Sequence, residues 1–146
     1  MLDTSALIAL RKEDTKVKKA LSDRRGTADD VGLSRLSEYE LRVGGEYLWK
    51  KYGDAREVAW LEDALSWLKV YEVDEEVVAD AADVQARRTQ EGDPLPDMDL
   101  LVALSAKRDS DLITLDEDHS GMSEALQSKG VTVSFLGGPR WPGAPW

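Results

Sequence analysis

The sequence predicts an α/β domain, and three observations favour this fold class. Short apolar runs typical of strands alternate with longer runs of helical periodicity along the 146 residues. A chain of about 150 residues buries enough surface for one core without disulfides or a structural metal. The apolar fraction of 42% and the charged fraction of 33% are typical of a globular domain.

The composition excludes several classes of protein. The chain has no cysteine and one histidine, which excludes disulfide scaffolds, iron–sulfur clusters, cysteine nucleophiles and histidine-rich zinc sites. We expect a cytoplasmic protein with no membrane partner, since no apolar run suits a transmembrane helix or a signal peptide. The net charge of −10 argues against broad binding of nucleic acids. It remains compatible with an enzyme that gathers carboxylates around a cation.

The first elements follow from apolar spacing and from a residue that ends a helix. Residues 1–3 fit only the end of a strand, and residues 6–10 form a short apolar helix. The amphipathic spacing of residues 13–25 predicts a helix that stops at Gly26. Residues 31–33 form a short strand.

Two longer helices occupy the middle of the sequence, at residues 36–52 and 54–68. Asp54 is suited to cap the second of them. Gly44 and Gly45 lie inside the first, where they either permit close packing or break the helix.

The remaining elements alternate between strand and helix. Two prolines make residues 92–96 a loop, and a helix opened by an aspartate lies on either side of it. The predicted strands are 70–73, 112–115 and 131–136, and the predicted helices are 74–90, 97–108 and 123–128. We expect one domain over residues 1–136. The glycine-, proline- and tryptophan-rich tail at 137–146 either is of mixed order or docks on the domain or a partner.

Acidic residues fall where an α/β sheet binds its ligands, beyond the carboxyl ends of the strands. Asp3 and Asp116 each follow a predicted strand, and Asp118 comes two residues later. Asp99 opens an almost wholly apolar helix, and Glu40 falls in an apolar stripe where an unpaired charge is costly. Mg²⁺ or Mn²⁺, which prefer oxygen ligands, would satisfy all of them.

Each of these acids also has a purely structural explanation. Ser37 and Glu40 fit a capping box with Ser37 at the N-cap. Asp97 and Asp99 are suited to cap a helix, and residues 116–118 fit a solvated turn. Taken together, however, these acids lie on separate elements and could all bind one cation, which favours a single site.

Four segments resemble motifs of the PIN-domain family, specifically the VapC type of toxin–antitoxin ribonuclease. LDTSALIAL at residues 2–10 is similar to the family's opening motif, and Glu40 followed by LRVG is similar to the second. LPDMDLLVA at 95–103 and LITLDED at 112–118 are similar to the remaining two. Their order and spacing also match, which makes the resemblance much stronger than one motif would.

The resemblance implies a three-layer fold with a central, mostly parallel sheet flanked by helices. It implies an endoribonuclease that depends on Mg²⁺ or Mn²⁺, inhibition by a cognate antitoxin protein, and a homodimer. The matching positions supply the catalytic acids Asp3, Glu40, Asp99 and Asp116, the metal ligands Asp3, Asp99, Asp116 and Asp118, and the supporting residues Thr4, Ser5 and Thr114.

Glu38 is the rival of Glu40 for the second acid. Only one of the two can face the site, because residues two apart on a helix do not share a face. Glu40 matches the motif better, since the leucine and the glycine of the motif follow it at Leu41 and Gly44.

An acidic protein needs local basic residues to guide RNA to its site. We expect single-stranded or looped RNA, whose splayed bases can be read. The candidates, any of which could instead belong to a solvated helix face, are Arg11, Lys12, Arg42, Lys50, Lys51, Arg87 and Arg88.

Large apolar residues of the middle helices either pack in the core or bind the antitoxin or a second subunit. They are Tyr47, Leu48, Trp49, Tyr52, Trp60 and Trp67.

The chain departs from the family pattern at two places. Only two residues precede Asp3, so we expect the Met1 ammonium to lie close to the acidic cluster, where it would weaken metal binding. His119 stands where the family often has phenylalanine. We expect an exposed histidine without a catalytic role there.

Three other functions are compatible with parts of the pattern. The main alternative is a catalytically inactive PIN-like module that binds RNA or protein. A phosphoacceptor receiver domain also has aspartates at strand ends, but it needs a lysine after a late strand, and none follows residues 131–136. Another metal-dependent phosphotransfer enzyme could use a similar sheet.

Overall fold

A computed structural model describes residues 1–27, 30–107 and 110–137, so the predicted tail lies outside the described residues except for Gly137. The helices are α1 Thr4–Arg11, α2 Thr15–Asp23, α3 Arg35–Tyr52, α4 Arg56–Leu65, α5 Glu75–Gln90, α6 Asp97–Leu104, α7 Glu117–Gly121 and α8 Ser123–Gln127. The strands are β1 Gly32–Ser34, β2 Lys69–Tyr71, β3 Ser110–Thr114 and β4 Val131–Phe135. Within these ranges, no helix is both long enough and apolar enough to cross a membrane.

One residue forms the centre of the sheet. Strands β1 and β2 pair in parallel, and so do β3 and β4. Leu2 joins the two pairs through single parallel bridges to Leu33 of β1 and Ile113 of β3. The resulting order is β2–β1–Leu2–β3–β4, which confirms the predicted central parallel sheet.

Neighbouring residues of β3 show that helices cover both faces of this sheet. Ile113 packs with buried residues of α1 to α4, whereas Leu112 packs with residues of α5, α6 and α8. The two side chains diverge because successive residues of a strand point to opposite faces. The three predicted layers therefore have a separate hydrophobic cluster on each side of the sheet.

Helix α3 begins earlier than the sequence predicts. The Ser34 hydroxyl caps it by accepting a hydrogen bond from the Leu36 N–H at 3.2 Å. Ser37 therefore lies inside the helix, and Glu40 is not at the third helical position. The capping-box explanation of Glu40 is wrong, so another partner must account for its half-buried carboxylate.

Gly45 permits close packing of α3, and neither Gly44 nor Gly45 breaks the helix. A Cβ atom on Gly45 would lie 3.1 Å from Cγ2 of Val58, which belongs to α4. This close approach joins α3 to α4, and both helices contribute buried residues to the hydrophobic cluster that includes α1.

Candidate functional site

Asp3 lies at the carboxyl end of the sheet and is almost fully enclosed, with 1% of its surface exposed. Its Oδ1 atom accepts hydrogen bonds from the Ser5 hydroxyl at 2.6 Å and from the Ala6 N–H at 2.9 Å, so Asp3 caps helix α1. Its Oδ2 atom accepts a hydrogen bond from the Thr114 hydroxyl and lies 2.6 Å from Nδ1 of His119. These donors hold the carboxylate in one orientation.

Ser5 and Thr114 also connect Asp3 to the end of β3. The Leu115 N–H donates to the Ser5 hydroxyl at 2.9 Å, and the Asp116 N–H donates to the Thr114 hydroxyl at 2.8 Å. Each hydroxyl thus accepts from the backbone after β3 and donates to Asp3. The structure places both of these predicted supporting residues in contact with the buried carboxylate.

Glu40, and not Glu38, faces this cluster. The Thr4 hydroxyl donates to Oε1 of Glu40 at 3.0 Å. Glu38 lies on a different face of α3, where it forms ion pairs with Arg35 and Arg42. The structure therefore brings together the predicted acid, Glu40, and the predicted supporting residue, Thr4.

His119 belongs to the cluster, and the expectation of an exposed histidine is wrong. Only 4% of the residue is exposed. Its Nδ1 atom faces Asp3, and its Nε2 atom lies 3.0 Å from the carbonyl oxygen of Asp99. Burial alone would lower the pKa of His119, but the hydrogen bond to Asp3 and the charges of Asp3 and Asp99 outweigh burial and raise the pKa to about 9.

Asp99 lies in the first turn of α6, half-buried among other acids. Burial raises the pKa of Asp99, and His119 opposes this shift with its positive charge. The charges of Asp116, Asp118 and Asp3 raise the pKa of Asp99 further. Burial and repulsion together therefore outweigh the compensation that His119 supplies.

The same repulsion acts on Glu40. Burial raises the pKa of Glu40, whereas the hydrogen bond from Thr4 lowers it. The charges of Asp99 and Asp3 raise this pKa again, and the charge of His119 opposes them. Carboxylates from separate elements are thus close enough to influence one another electrostatically.

Asp116 and Asp118 lie at the start of α7. Asp116 caps this helix, and its Oδ1 atom accepts a hydrogen bond from the Asp118 N–H at 2.9 Å. Asp118 is exposed. Asp97, the other acid in the first turn of α6, accepts instead from the side chain of Gln85 at 2.7 Å.

The donor chemistry of these acids fits a divalent cation. Mg²⁺ and Mn²⁺ prefer carboxylate oxygens, and a cation would offset the burial and the repulsion that raise the pKa of Asp99 and Glu40. Among the described residues, no three histidine, aspartate or glutamate side chains are drawn together into a metal-binding group. Binding of a divalent cation would therefore need side-chain movement. Asp118 is best placed for it, because it is exposed at the start of α7.

The Met1 ammonium lies away from the acids, contrary to expectation. It donates to the carbonyl oxygen of Asp111 at 2.6 Å, at the end of the sheet opposite Asp3. The strand direction explains this separation, because Met1 enters the sheet beside the beginning of β3 and Asp3 leaves it beside the end.

Most basic residues proposed to guide RNA contact acids outside the cluster. The pairs are Arg11 with Glu57, Arg42 with Glu38 and Glu62, Lys50 with Glu46, Arg87 with Asp83, and Arg88 with Asp93. Lys51 contacts the Tyr47 hydroxyl, and Lys12 is exposed. The described structure therefore does not gather these cations around the carboxylates.

The model of the family described as "PIN domain" matches residues 1–125. The chain belongs to the PIN-domain family. This confirms the predicted family, and the match includes Asp3, Glu40, Asp99 and Asp116 within its bounds. No curated protein matches the chain.

Solved structures of VapBC complexes share the fold of this PIN domain. A chain of VapBC2 from Rickettsia felis, bound to a DNA fragment from its promoter, matches with a TM-score of 0.71 and 18% identity, covering 92% of this chain and 96% of its own. A chain of DNA-bound VapBC from Salmonella typhimurium gives 0.69 and 18%, with 94% and 97% covered. VapBC-1 from nontypeable Haemophilus influenzae gives 0.70 and 17%, with 93% and 96% covered.

Proposed function

We propose that this PIN domain is a VapC-type toxin, a metal-dependent endoribonuclease held inactive by an antitoxin. The acidic cluster at the carboxyl end of the sheet carries the proposal. Asp3, Glu40, Asp99 and Asp116 come from separate elements, and burial together with charges within the cluster raises the pKa of Glu40 and Asp99. Such a concentration of half-buried charge is costly for folding, and binding a cation offsets that cost.

The chain would hold Mg²⁺ or Mn²⁺ through Asp3, Asp99, Asp116 and Asp118. When bound, the metal would lower the pKa of a water molecule and shield the charge of the scissile phosphate. Glu40 has a raised pKa and is suited to accept the proton of the attacking water. Attack by water with departure of the 3′ oxygen leaves a 5′-phosphate and a 3′-hydroxyl, without use of the RNA 2′-hydroxyl.

The partner proposal rests on exposed aromatic residues. Tyr47, Trp49 and Tyr52 on α3 are 43%, 51% and 65% exposed, and Trp67 is 53% exposed. Aromatic side chains anchor protein interfaces, and the solved neighbours are VapBC complexes. An antitoxin and a second copy of the chain are therefore the proposed partners. The proposed substrate is single-stranded or looped RNA, and the predicted location remains the cytoplasm.

The decisive experiment is cleavage of a mixed single-stranded RNA pool in Mn²⁺ or Mg²⁺. Wild-type protein is compared with Asp99→Asn and with Asp63→Asn, a matched control at an exposed position of α4. We expect cleavage by the wild type and the control that stops in EDTA, and a loss of at least about 100-fold in Asp99→Asn. Equal cleavage by all three proteins would indicate a contaminating nuclease.

The chemistry of the RNA ends tests the mechanism separately. We expect 5′-phosphate and 3′-hydroxyl products, and a 2′,3′-cyclic phosphate would contradict attack by water. A folded wild type that cuts no RNA and gives no heat on Mn²⁺ titration would support the alternative, an inactive PIN-like binding module.

A further inference from the structure

We propose that His119 is a positioning residue that ties Asp3 to the first turn of α6 and so sets the spacing between the acids Asp3 and Asp99. This inference rests on the proposed function, because it gives His119 a part in that reaction. It concerns a side chain that approaches both acids without being one of the proposed metal ligands.

Both ring nitrogens of His119 face acceptors. Nδ1 lies 2.6 Å from Oδ2 of Asp3, and Nε2 lies 3.0 Å from the main-chain oxygen of Asp99. A carboxylate and a carbonyl can only accept, so both nitrogens must donate. The flat ring holds these two donors at a fixed separation, and therefore fixes the distance between the two acceptors.

The two acceptors belong to separate parts of the fold. Asp3 follows Leu2 at the centre of the sheet, and Asp99 lies on α6, which packs on one face of that sheet. His119 lies on α7, whose N-cap residue Asp116 comes two residues after the end of β3. One buried ring thus connects the three segments that carry Asp3, Asp99 and Asp116.

Three substitutions separate the two hydrogen bonds. Asparagine can place its amide nitrogen near the position of Nδ1 and keep the contact with Asp3. Glutamine can place its amide nitrogen near the position of Nε2 and keep the contact with Asp99. Phenylalanine retains a ring of similar size and makes neither hydrogen bond.

The test measures kcat and KM on a short RNA in Mn²⁺ for His119→Phe, His119→Asn and His119→Gln. A displacement of about 1 Å between reacting groups can lower a rate by about 100-fold. We therefore expect kcat to fall by about 10- to 100-fold in His119→Phe with KM nearly unchanged, and by less in the other two variants, which each retain one hydrogen bond.

A matched control separates positioning from a general loss of stability. Met122 is 1% exposed and lies between α7 and α8, outside the acidic cluster. Met122→Ala should lower the melting temperature and keep the wild-type kcat below that temperature. The proposal is overturned if folded His119→Phe retains kcat within about twofold of the wild type, or loses no more kcat than Met122→Ala. If His119→Phe does not fold, the proposal is overturned when His119→Asn and His119→Gln both have the same kcat as the wild type.

Amide hydrogen exchange tests the connection without relying on activity. Loss of the ring donors should speed exchange of the Leu100 N–H, which donates to the Pro96 carbonyl oxygen in the first turn of α6, by at least about tenfold, and exchange in α5 should stay unchanged. If the wild type cuts no RNA, the proposed function fails while this measurement still decides whether His119 holds α6. Unchanged exchange in all three variants would then refute the positioning role.

Discussion

Thr114 shows how single hydroxyl groups build the acidic cluster. Its side chain has no exposed surface, donates to Asp3 and accepts from the Asp116 N–H. A valine has nearly the same shape but can make neither contact. The hydroxyl therefore both satisfies a buried carboxylate and fixes the backbone that carries Asp116.

We expect Thr114→Val to lower the free energy of unfolding by about 1–3 kcal/mol, because it leaves a buried acceptor and a backbone donor with fewer partners. Urea denaturation measures this change. The control is Thr132→Val on β4, an exposed position where the change should stay within about 0.5 kcal/mol. An equal decrease in the free energy of unfolding of both variants would mean that the hydrogen bonds of the buried Thr114 hydroxyl do not stabilise the fold.

The acids were predictable from the sequence because each lies at a position that the chain order defines. Asp3 and Asp116 follow strands, and the motif after Glu40 distinguishes it from Glu38. A lone histidine has no such pattern. The available signal for His119 was its place three residues after Asp116, within one helical turn of a strand end, but burial by α6 depends on tertiary packing.

At the scale of elements, the edge of the sheet beside the one-residue centre depends on a close approach of β1 and β2. Strand β1 pairs with β2 along its whole length, with Gly32 opposite Lys69. A Cβ atom on Gly32 would overlap the carbonyl oxygen of Lys69 and the ring of Tyr71. Glycine therefore permits the approach that aligns Ser34 and α3 with the site.

We expect Gly32→Ala to lower the free energy of unfolding by about 2–3 kcal/mol, since the contacted backbone of β2 cannot move without loss of pairing. The matched control is Gly121→Ala at the end of α7, where a Cβ atom meets nothing within 4 Å. That variant should be neutral or slightly more stable. Thermal unfolding of both proteins measures the difference, and a Gly32→Ala melting temperature equal to the wild type would contradict the close approach.

Element types were easier to predict than element boundaries. Residues 36–52 have clear helical periodicity, and α3 indeed covers Arg35–Tyr52. The sequence offered Ser37 as a cap, yet Ser34 caps the helix because β1 ends there and delivers its hydroxyl to the Leu36 N–H. Cap choice thus depends on where the preceding strand enters the sheet, which local patterns do not encode.

Across the whole molecule, charge opposes stability at one end of the sheet. The net charge is −10, and several of the acids are concentrated around Asp99. Burial and the neighbouring acids both raise the pKa of Asp99. The first turn of α6 favours a negative charge, but burial and repulsion outweigh this effect. The folded protein therefore holds Asp99 in an unfavourable charged form unless a cation binds.

This balance predicts opposite effects of one substitution with and without metal. In EDTA, Asp99→Asn should melt at a higher temperature than the wild type, because it removes a charge that the folded state disfavours. Mn²⁺ at about 100 times its Kd should stabilise the wild type by about 2.7 kcal/mol, or roughly 5–10 °C, and should shift Asp99→Asn far less. Asp63→Asn, which changes the net charge equally, should match the wild type in both conditions. Scanning calorimetry measures all three proteins, and an Asp99→Asn protein that is less stable in EDTA yet gains as much from Mn²⁺ would place Asp99 outside the metal site.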